Sequence, residues 1–307
     1  MYIIDFFKNL FKRNNIGTII WILCNLAVIC ACSVLLYEPH EVVDIVYGVL
    51  IGIAIYILSI VIALSPIGEW ILRVQSGCKA IVDPTVVSRM QPIFEEVYSR
   101  AKEMNPEIPG DVKLFMNNDL CPNAFATGRH TICITRGLLL LSDNDIKGIL
   151  GHEFGHLAHK DTDTILVIAV GNLIVSIVFA VWRAIIRLFA WFINIAGVMA
   201  AESFWGKLTA WFAGELIRIL IDIVLAGVIA LWTKLGVLIC MTSSRANEYL
   251  ADQYSYHLGY GYDLCNALRK LGVGEKSKGI FAALSSSHPD SFDRINRLNE
   301  LTNSHAY

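Results

Sequence analysis

Four stretches of this chain are too apolar for water and have the length that crosses a bilayer. Ile16–Tyr37 (IGTIIWILCNLAVICACSVLLY) and Ile45–Pro66 (IVYGVLIGIAIYILSIVIALSP) contain no charged residue, and a bilayer core takes about 20 apolar residues of helix. Thr164–Trp182 is a third charge-free run. Ile219–Met241 is the fourth and weakest, with Asp222 and Lys234 toward its ends, where a lysine can snorkel to the interface. Leu188–Ala201 is uncharged but short, which suits a hairpin tip or an interfacial helix. Composition agrees. Of 307 residues, 55% are apolar and 17% charged, against about a quarter charged in soluble proteins.

Lysine and arginine placement sets the orientation. Lys8, Lys12 and Arg13 precede the first run, Glu38–Asp44 between the first two has no Lys or Arg, and Arg73 and Lys79 follow the second. Both ends of the first hairpin are therefore expected in the cytoplasm. Arg183 and Arg187, after the third run, fit less well and call for snorkelling or a longer, tilted helix. The first run is too long for a signal peptide, and no small-residue cleavage site closes it. Cys32 is no lipoprotein cysteine, because the apolar run continues past it. The eight cysteines are scattered, with no C-x-x-C pair, so a reducing compartment is expected for the polar parts. A net charge of −2 without a basic cluster points to no nucleic-acid partner.

The polar parts are 73–163 and 242–307. Val86–Met104 has helical apolar spacing. DVKLFMN, NAFATG and TICITRG are short, partly alternating and bounded by Asn, Pro and Gly, which predicts a small sheet. Ser142 with Asp145 three residues on predicts a capping-box helix start.

That helix carries GHEFGHLAHKD, Gly151–Asp161. His152 and His156 are four apart, so their imidazoles project from one helix face and can take two corners of a tetrahedral zinc site. Glu153 lies on the flank, placed to take a proton from a zinc-activated water. This is the H-E-x-x-H arrangement of metalloproteases. A third protein ligand is needed, with the fourth position left to water. Ser244–Tyr254 (SRANEYLADQY) offers Glu248, with Asp252 four residues on to hold a ligating histidine by its second nitrogen. A solvated helix face is the plain alternative for that pair. If both segments bind one ion, an even number of crossings must separate them, and the third and fourth runs supply two. His159, one turn beyond His156, is assigned a non-ligand role, because a fourth protein ligand would close the site to water.

Two non-enzymatic readings compete. A purely structural zinc clamp needs no base and usually has four protein ligands, so Glu153 argues against it. A metal transporter would place its ligands near the bilayer midplane, whereas these lie outside the apolar runs.

PNAFATGRHTICITRGLLLLSDNDIKGILGHEFGHLAHKD, then an apolar hairpin and SRANEYLAD, resembles the HtpX-like zinc metalloproteases, integral-membrane peptidases related to CAAX prenyl endopeptidases. SSHPDSFDRI (Ser286–Ile295) is similar to the family's His-Pro…Arg element. The resemblance implies His152, His156 and Glu248 as ligands of one Zn2+ per chain, Glu153 as catalytic base and Asp252 behind a ligand. It makes Asn123 and Ala124 part of a cleft strand that pairs with extended substrate, and His288 and Arg294 the late element. Arg294 would order the site, steady an oxyanion or hold the C-terminal helix by a salt bridge. Phe154 and Gly155 depart from the His-Glu-Leu-Ala-His common in bacterial members. A helical Gly costs about 1 kcal/mol relative to Ala, so close packing near the metal is expected there.

The expected fold is a mainly α membrane protein, four transmembrane helices with a cytoplasmic α+β zincin-like domain carrying a small β-sheet. Residues 1–72 form the first hairpin, 73–163 and 242–307 the two parts of the catalytic domain, and 164–241 the second hairpin. The implied activity is endopeptidase cleavage of misfolded or damaged membrane proteins at a bacterial or archaeal cell membrane. Processing of lipid-modified tails is the alternative. Substrate polypeptides and the bilayer are the expected partners.

Overall fold

Hydrophobic length dictates the longest elements of the computed structural model, which describes residues 2–11, 15–37, 39–271 and 291–304. Helix α1 is Tyr2–Leu10, α2 is Ile16–Leu36 and α3 is Val42–Ala63. At 1.5 Å per residue the latter two run about 30 Å each, the thickness of a bilayer core. Helix α4 is Pro66–Gln75, α5 is Pro84–Met104 and α6 is Asp143–His159. Then come α7 (Asp161–Ala200), α8 (Phe204–Ser255), α9 (Gly261–Leu271) and α10 (Ser291–Ser304). Among the described residues, 4 helices are long and apolar enough to cross a membrane: α2, α3, α7 and the Phe204–Gly236 part of α8. Residues 188–200, expected as a tip or interfacial helix, instead continue the third run as part of α7.

By internal contacts the chain forms two units. One comprises Met1–Leu23, Ile57–Val170 and Val237–Tyr307, and the other Cys24–Tyr56 and Gly171–Gly236. Within the second unit, Gly48 and Gly52 let α3 approach α2 closely. A Cβ on Gly48 would lie 2.7 Å from the Val34 Cα, and one on Gly52 2.6 Å from the Cys30 Cα. Small residues four apart are the usual device for tight packing of membrane helices. Trp232 Nε1 donates to Asn25 Oδ1 at 3.2 Å. Arg183 and Arg187, awkward in the sequence, pair with one of the two charges of the fourth run: their Nε atoms lie 2.9 and 2.6 Å from Asp222 Oδ1. Beyond the charge-free stretch of the third run, long arginine side chains can also snorkel toward headgroups.

The first unit holds a small mixed sheet in the order β1-β2-β4-β3, formed by Lys79–Ala80, Lys113–Asn117, Thr131–Thr135 and Ala124–Thr127 respectively. β2 and β4 are parallel, and the other pairings antiparallel. The three longer strands fall where sequence alternation puts them. β4 is buried along its whole length, and β3 is left at the edge. Beneath lies a core drawn from α5, α6, α9 and the sheet, including Phe94, Val97, Ile132, Leu150, Phe154 and Leu268.

Candidate active site

The site is built on α6, which starts where its residues dictate. Ser142 accepts from the Asp145 N–H, and the Asp145 carboxylate accepts from the Ser142 N–H, a complete capping box. Asp145 also receives Lys270, and these donors outweigh its burial to hold its carboxyl below the usual range. The helix then runs buried through the chemistry-bearing turn and ends at Lys160, whose left-handed φ of 60° breaks it. Gly148 and Gly155 make the face of α6 shallow. A Cβ on Gly155 would lie 2.8 Å from Ala251 Cα, and one on Gly148 2.4 Å from Leu264 N. Thus Gly155 buys contact with α8, one turn from Glu248. Phe154 beside it is fully buried, its ring stacked 5.5 Å from Tyr98 at 11°. The unusual Phe-Gly pair is therefore a packing solution.

Three side chains converge across that contact. His152 Nε2 is 3.2 Å from His156 Nε2 and 3.3 Å from Glu248 Oε2, and His156 Nε2 is 3.4 Å from Glu248 Oε1. All three residues are drawn from the interior, and their ligand atoms lie within 4.8 Å of one another. Tetrahedral bonds of about 2.0–2.1 Å put neighbouring ligand atoms about 3.3 Å apart, so the donor set and its spacing fit zinc. His159 is not part of this cluster. Its ring instead meets Tyr254 edge-on at 6.0 Å.

Each histidine has a carboxylate behind it. His152 Nδ1 is 2.8 Å from Asp252 Oδ1, and His156 Nδ1 is 3.4 Å from Asp161 Oδ2. Asp161 is a partner that helical spacing does not suggest. Burial works against protonation of both rings, but the surrounding carboxylates outweigh it and raise both imidazoles, His156 well above its ordinary value. Metal binding at these nitrogens competes with protons.

Arg294, brought in by α10, closes the back of the site. Its Nε and Nη2 donate to Asp252 Oδ2 and Oδ1 at 2.8 and 2.5 Å, and its Nη1 lies 3.5 Å from Glu248 Oε2. Burial would raise the Asp252 carboxyl, but Arg294 and then His152 hold it well below the usual range. His288 lies outside the described residues.

Glu153, 3% exposed, accepts from the Ala126 backbone N–H at 2.7 Å through Oε2. The edge strand β3 thus touches the carboxylate beside the metal cluster. Asn123 faces inward. Its N–H donates to Thr135 Oγ1 at 2.8 Å, and its carbonyl accepts from the Thr135 N–H at 2.9 Å. By alternation, the backbone groups of Ala124 and Ala126 point away from β4.

A histidine pair one helical turn apart, flanked by a glutamate and closed by a carboxylate from a second helix, defines a metallopeptidase. Here that site sits in a chain with membrane-spanning helices. The profile of Peptidase family M48 matches residues 84–302, and this chain belongs to that family. Protease HtpX of Shewanella baltica (strain OS185) is 27% identical over 266 residues, which cover 85% of this chain and 86% of that one. A Protease HtpX homolog of Methanocaldococcus jannaschii is 30% identical over 207 residues. That match covers 59% of this chain and 65% of the relative, so less than two thirds of its length. The crystal structure of S. mikatae Ste24p is 18% identical with a TM-score of 0.39, covering 83% of this chain and 58% of that one. With four helices long and apolar enough to cross a bilayer among its described residues, the chain is a multi-pass integral membrane protein.

Proposed function

We propose that this chain is a zinc endopeptidase that cuts misfolded or damaged membrane proteins, with its site on the cytoplasmic side. In this reading residues 1–72 and 164–241 are its two membrane hairpins, and residues 73–163 and 242–307 make one catalytic domain. The observation that carries the catalytic reading is the set of three donors spaced 3.2–3.4 Å apart with Glu153 beside them on the same helix. Names of relatives that include the word protease, and membrane spans flanking both halves of the site, support membrane polypeptides as substrates.

His152, His156 and Glu248 would hold the zinc, which supplies Lewis-acid activation of water and of the scissile carbonyl when bound. Glu153 takes the proton from the attacking water and delivers it to the departing amine. Anchored through one oxygen by Ala126 N–H, its carboxylate exchanges that proton at the other. Asp252 and Asp161 fix the ring orientation of the two histidines from their Nδ1 sides and leave their Nε2 atoms to hold the zinc that would bind there. Extended substrate would add to the outer edge of β3 at Ala124, taking over the N–H that Asn123 Oδ1 accepts at 2.9 Å, while the Asn123 backbone is committed to β4.

The test uses full-length chain purified in detergent, with zinc measured beside cleavage of an unfolded protein. Glu153→Gln is expected to keep zinc and lose cleavage by a factor on the order of 10² to 10⁴. Undiminished cleavage in that variant removes Glu153 from the role of base.

A further inference from the structure

Two short helices bracket the first membrane hairpin, and each leaves one apolar stripe open. Helix α1 ends six residues before α2 begins, and α4 starts three residues after α3 ends. On α1 and the residue that follows it, Ile4, Phe7 and Phe11 are 62%, 43% and 75% exposed, while Phe6 and Leu10 are buried. On α4, Ile67, Trp70 and Val74 are 58%, 56% and 59% exposed, while Glu69 and Leu72 are buried. Both open sets follow the spacing i, i+3, i+7, a single helix face. α2 and α3 form a hairpin, so the start of one and the end of the other lie at the same bilayer face. The α4 stripe therefore begins about one turn from that face, and the α1 stripe ends five residues along the chain from the start of α2.

The geometry at the end of α3 keeps α4 there. Ser65 caps α4 by accepting from the Ile67 N–H at 3.2 Å, and Pro66 opens it. A Cβ on Gly68 would lie 2.1 Å from the Ala63 carbonyl oxygen, so the chain bends sharply at Leu64–Ser65 where α3 passes into α4. A helix leaving a span at such a bend with an open tryptophan-bearing apolar face has the make-up of an interfacial segment.

We propose that α1 and α4 lie in the headgroup region of the bilayer with Ile4, Phe7, Phe11, Ile67, Trp70 and Val74 set into the acyl boundary. They form a lipid-bound seat for the peptidase unit. The inner face of α4 shows what the seat positions. Glu69 Oε1 accepts from Thr131 Oγ1 at 2.5 Å and from the His130 N–H at 3.2 Å, and Arg73 Nη1 lies 3.3 Å from Thr131 Oγ1. These residues hold the β3–β4 turn, and β3 in turn supplies the Ala126 N–H that grips Glu153. One helix thus has lipid on its outer face and the edge strand of the site on its inner face.

The seat is tested in full-length chain reconstituted in phosphatidylethanolamine–phosphatidylglycerol vesicles, with a photocrosslinking amino acid placed in single variants. Trp70→p-benzoylphenylalanine and Phe7→p-benzoylphenylalanine are each expected to give lipid adducts by mass spectrometry. Tyr262→p-benzoylphenylalanine, at an exposed position on α9, is expected to give none. Lipid capture at Trp70 or Phe7 no greater than at Tyr262 overturns the proposal, as do crosslinks to a second chain in place of lipid. All three positions are exposed, so the variants keep the packed interior. Lipid capture needs neither zinc nor cleavage, so its failure is distinct from failure of the peptidase reading.

Discussion

The molecule uses the same guanidinium–carboxylate chemistry in two places, and the settings could hardly differ more. Behind the metal cluster, Arg294 and Asp252 are 3% and 5% exposed. In the second hairpin, Arg187 and Asp222 are 43% and 17% exposed, and Arg183 shares the same carboxylate. The buried pair has no water to fall back on. Its members must satisfy one another, and they are tied to His152 and Glu248 as well. The hairpin group is open, and its long arginine side chains can reach water or headgroups without their partner. Full burial converts an ion pair into part of a machine, because every member then depends on every other.

Breaking the buried pair should therefore have the largest effect. Arg294→Met strips the buried Asp252 and Glu248 of the guanidinium that faces both and leaves the histidines against them, and breaking a buried pair in this way costs up to about 3–5 kcal/mol. Chemical denaturation of the solubilised chain should show that loss together with reduced zinc content. Arg294→Lys should recover only part of it, because an ammonium cannot make the two-pronged contact with Asp252. Wild-type stability in Arg294→Met would show that the pair is a bystander.

Next comes the carboxylate itself. Asp252→Asn keeps the shape but weakens the hold on His152 Nδ1, and zinc affinity should fall by about 10–100-fold in a chelator competition. The same variant isolates a pH effect. The Asp252 carboxyl is depressed in the folded chain, so its contribution is complete above the unfolded value near 3.9 and is lost as pH falls below that toward the folded value. Melting temperature in the wild type should drop more steeply through that acid range than in Asp252→Asn. Parallel acid limbs would contradict the depressed carboxyl.

The contrast between the two groups also marks what a sequence can reveal. The spacing of His152, Glu153 and His156 is local, and a helix projects it directly onto one face. Four spans follow from length and apolarity. Arg294 is harder, since it comes from a segment 42 residues beyond Asp252, and nothing in either stretch selects the partner. Asp161 stands five residues after His156. Extending the helix would carry it well round the cylinder, and only the left-handed Lys160 returns it. Ala126 acts through its backbone N–H, which every residue but proline possesses. Gly155 was readable as a sign of close approach, but its neighbour Ala251 was not. In the hairpin, Arg183 and Arg187 fit poorly by sequence alone, and their meeting with Asp222 explains them.

The smallest effect should come from that open group. Asp222→Asn removes the only acid that Arg183 and Arg187 contact among the ion pairs of the described residues. It leaves two guanidiniums that can extend toward water, with no buried charge stranded. Among the ion pairs of the described residues Asp222 shares no partner with the metal cluster, so zinc affinity and cleavage rate should stay within a factor of about two of wild type. High salt should likewise leave the Arg294–Asp252 pair intact while weakening the open one, because ions screen exposed charges far more than buried ones. If Asp222→Asn instead releases zinc or abolishes cleavage as Arg294→Met is expected to, burial does not separate the two groups. The hairpin charges would then be coupled to the peptidase site through the helices that carry both.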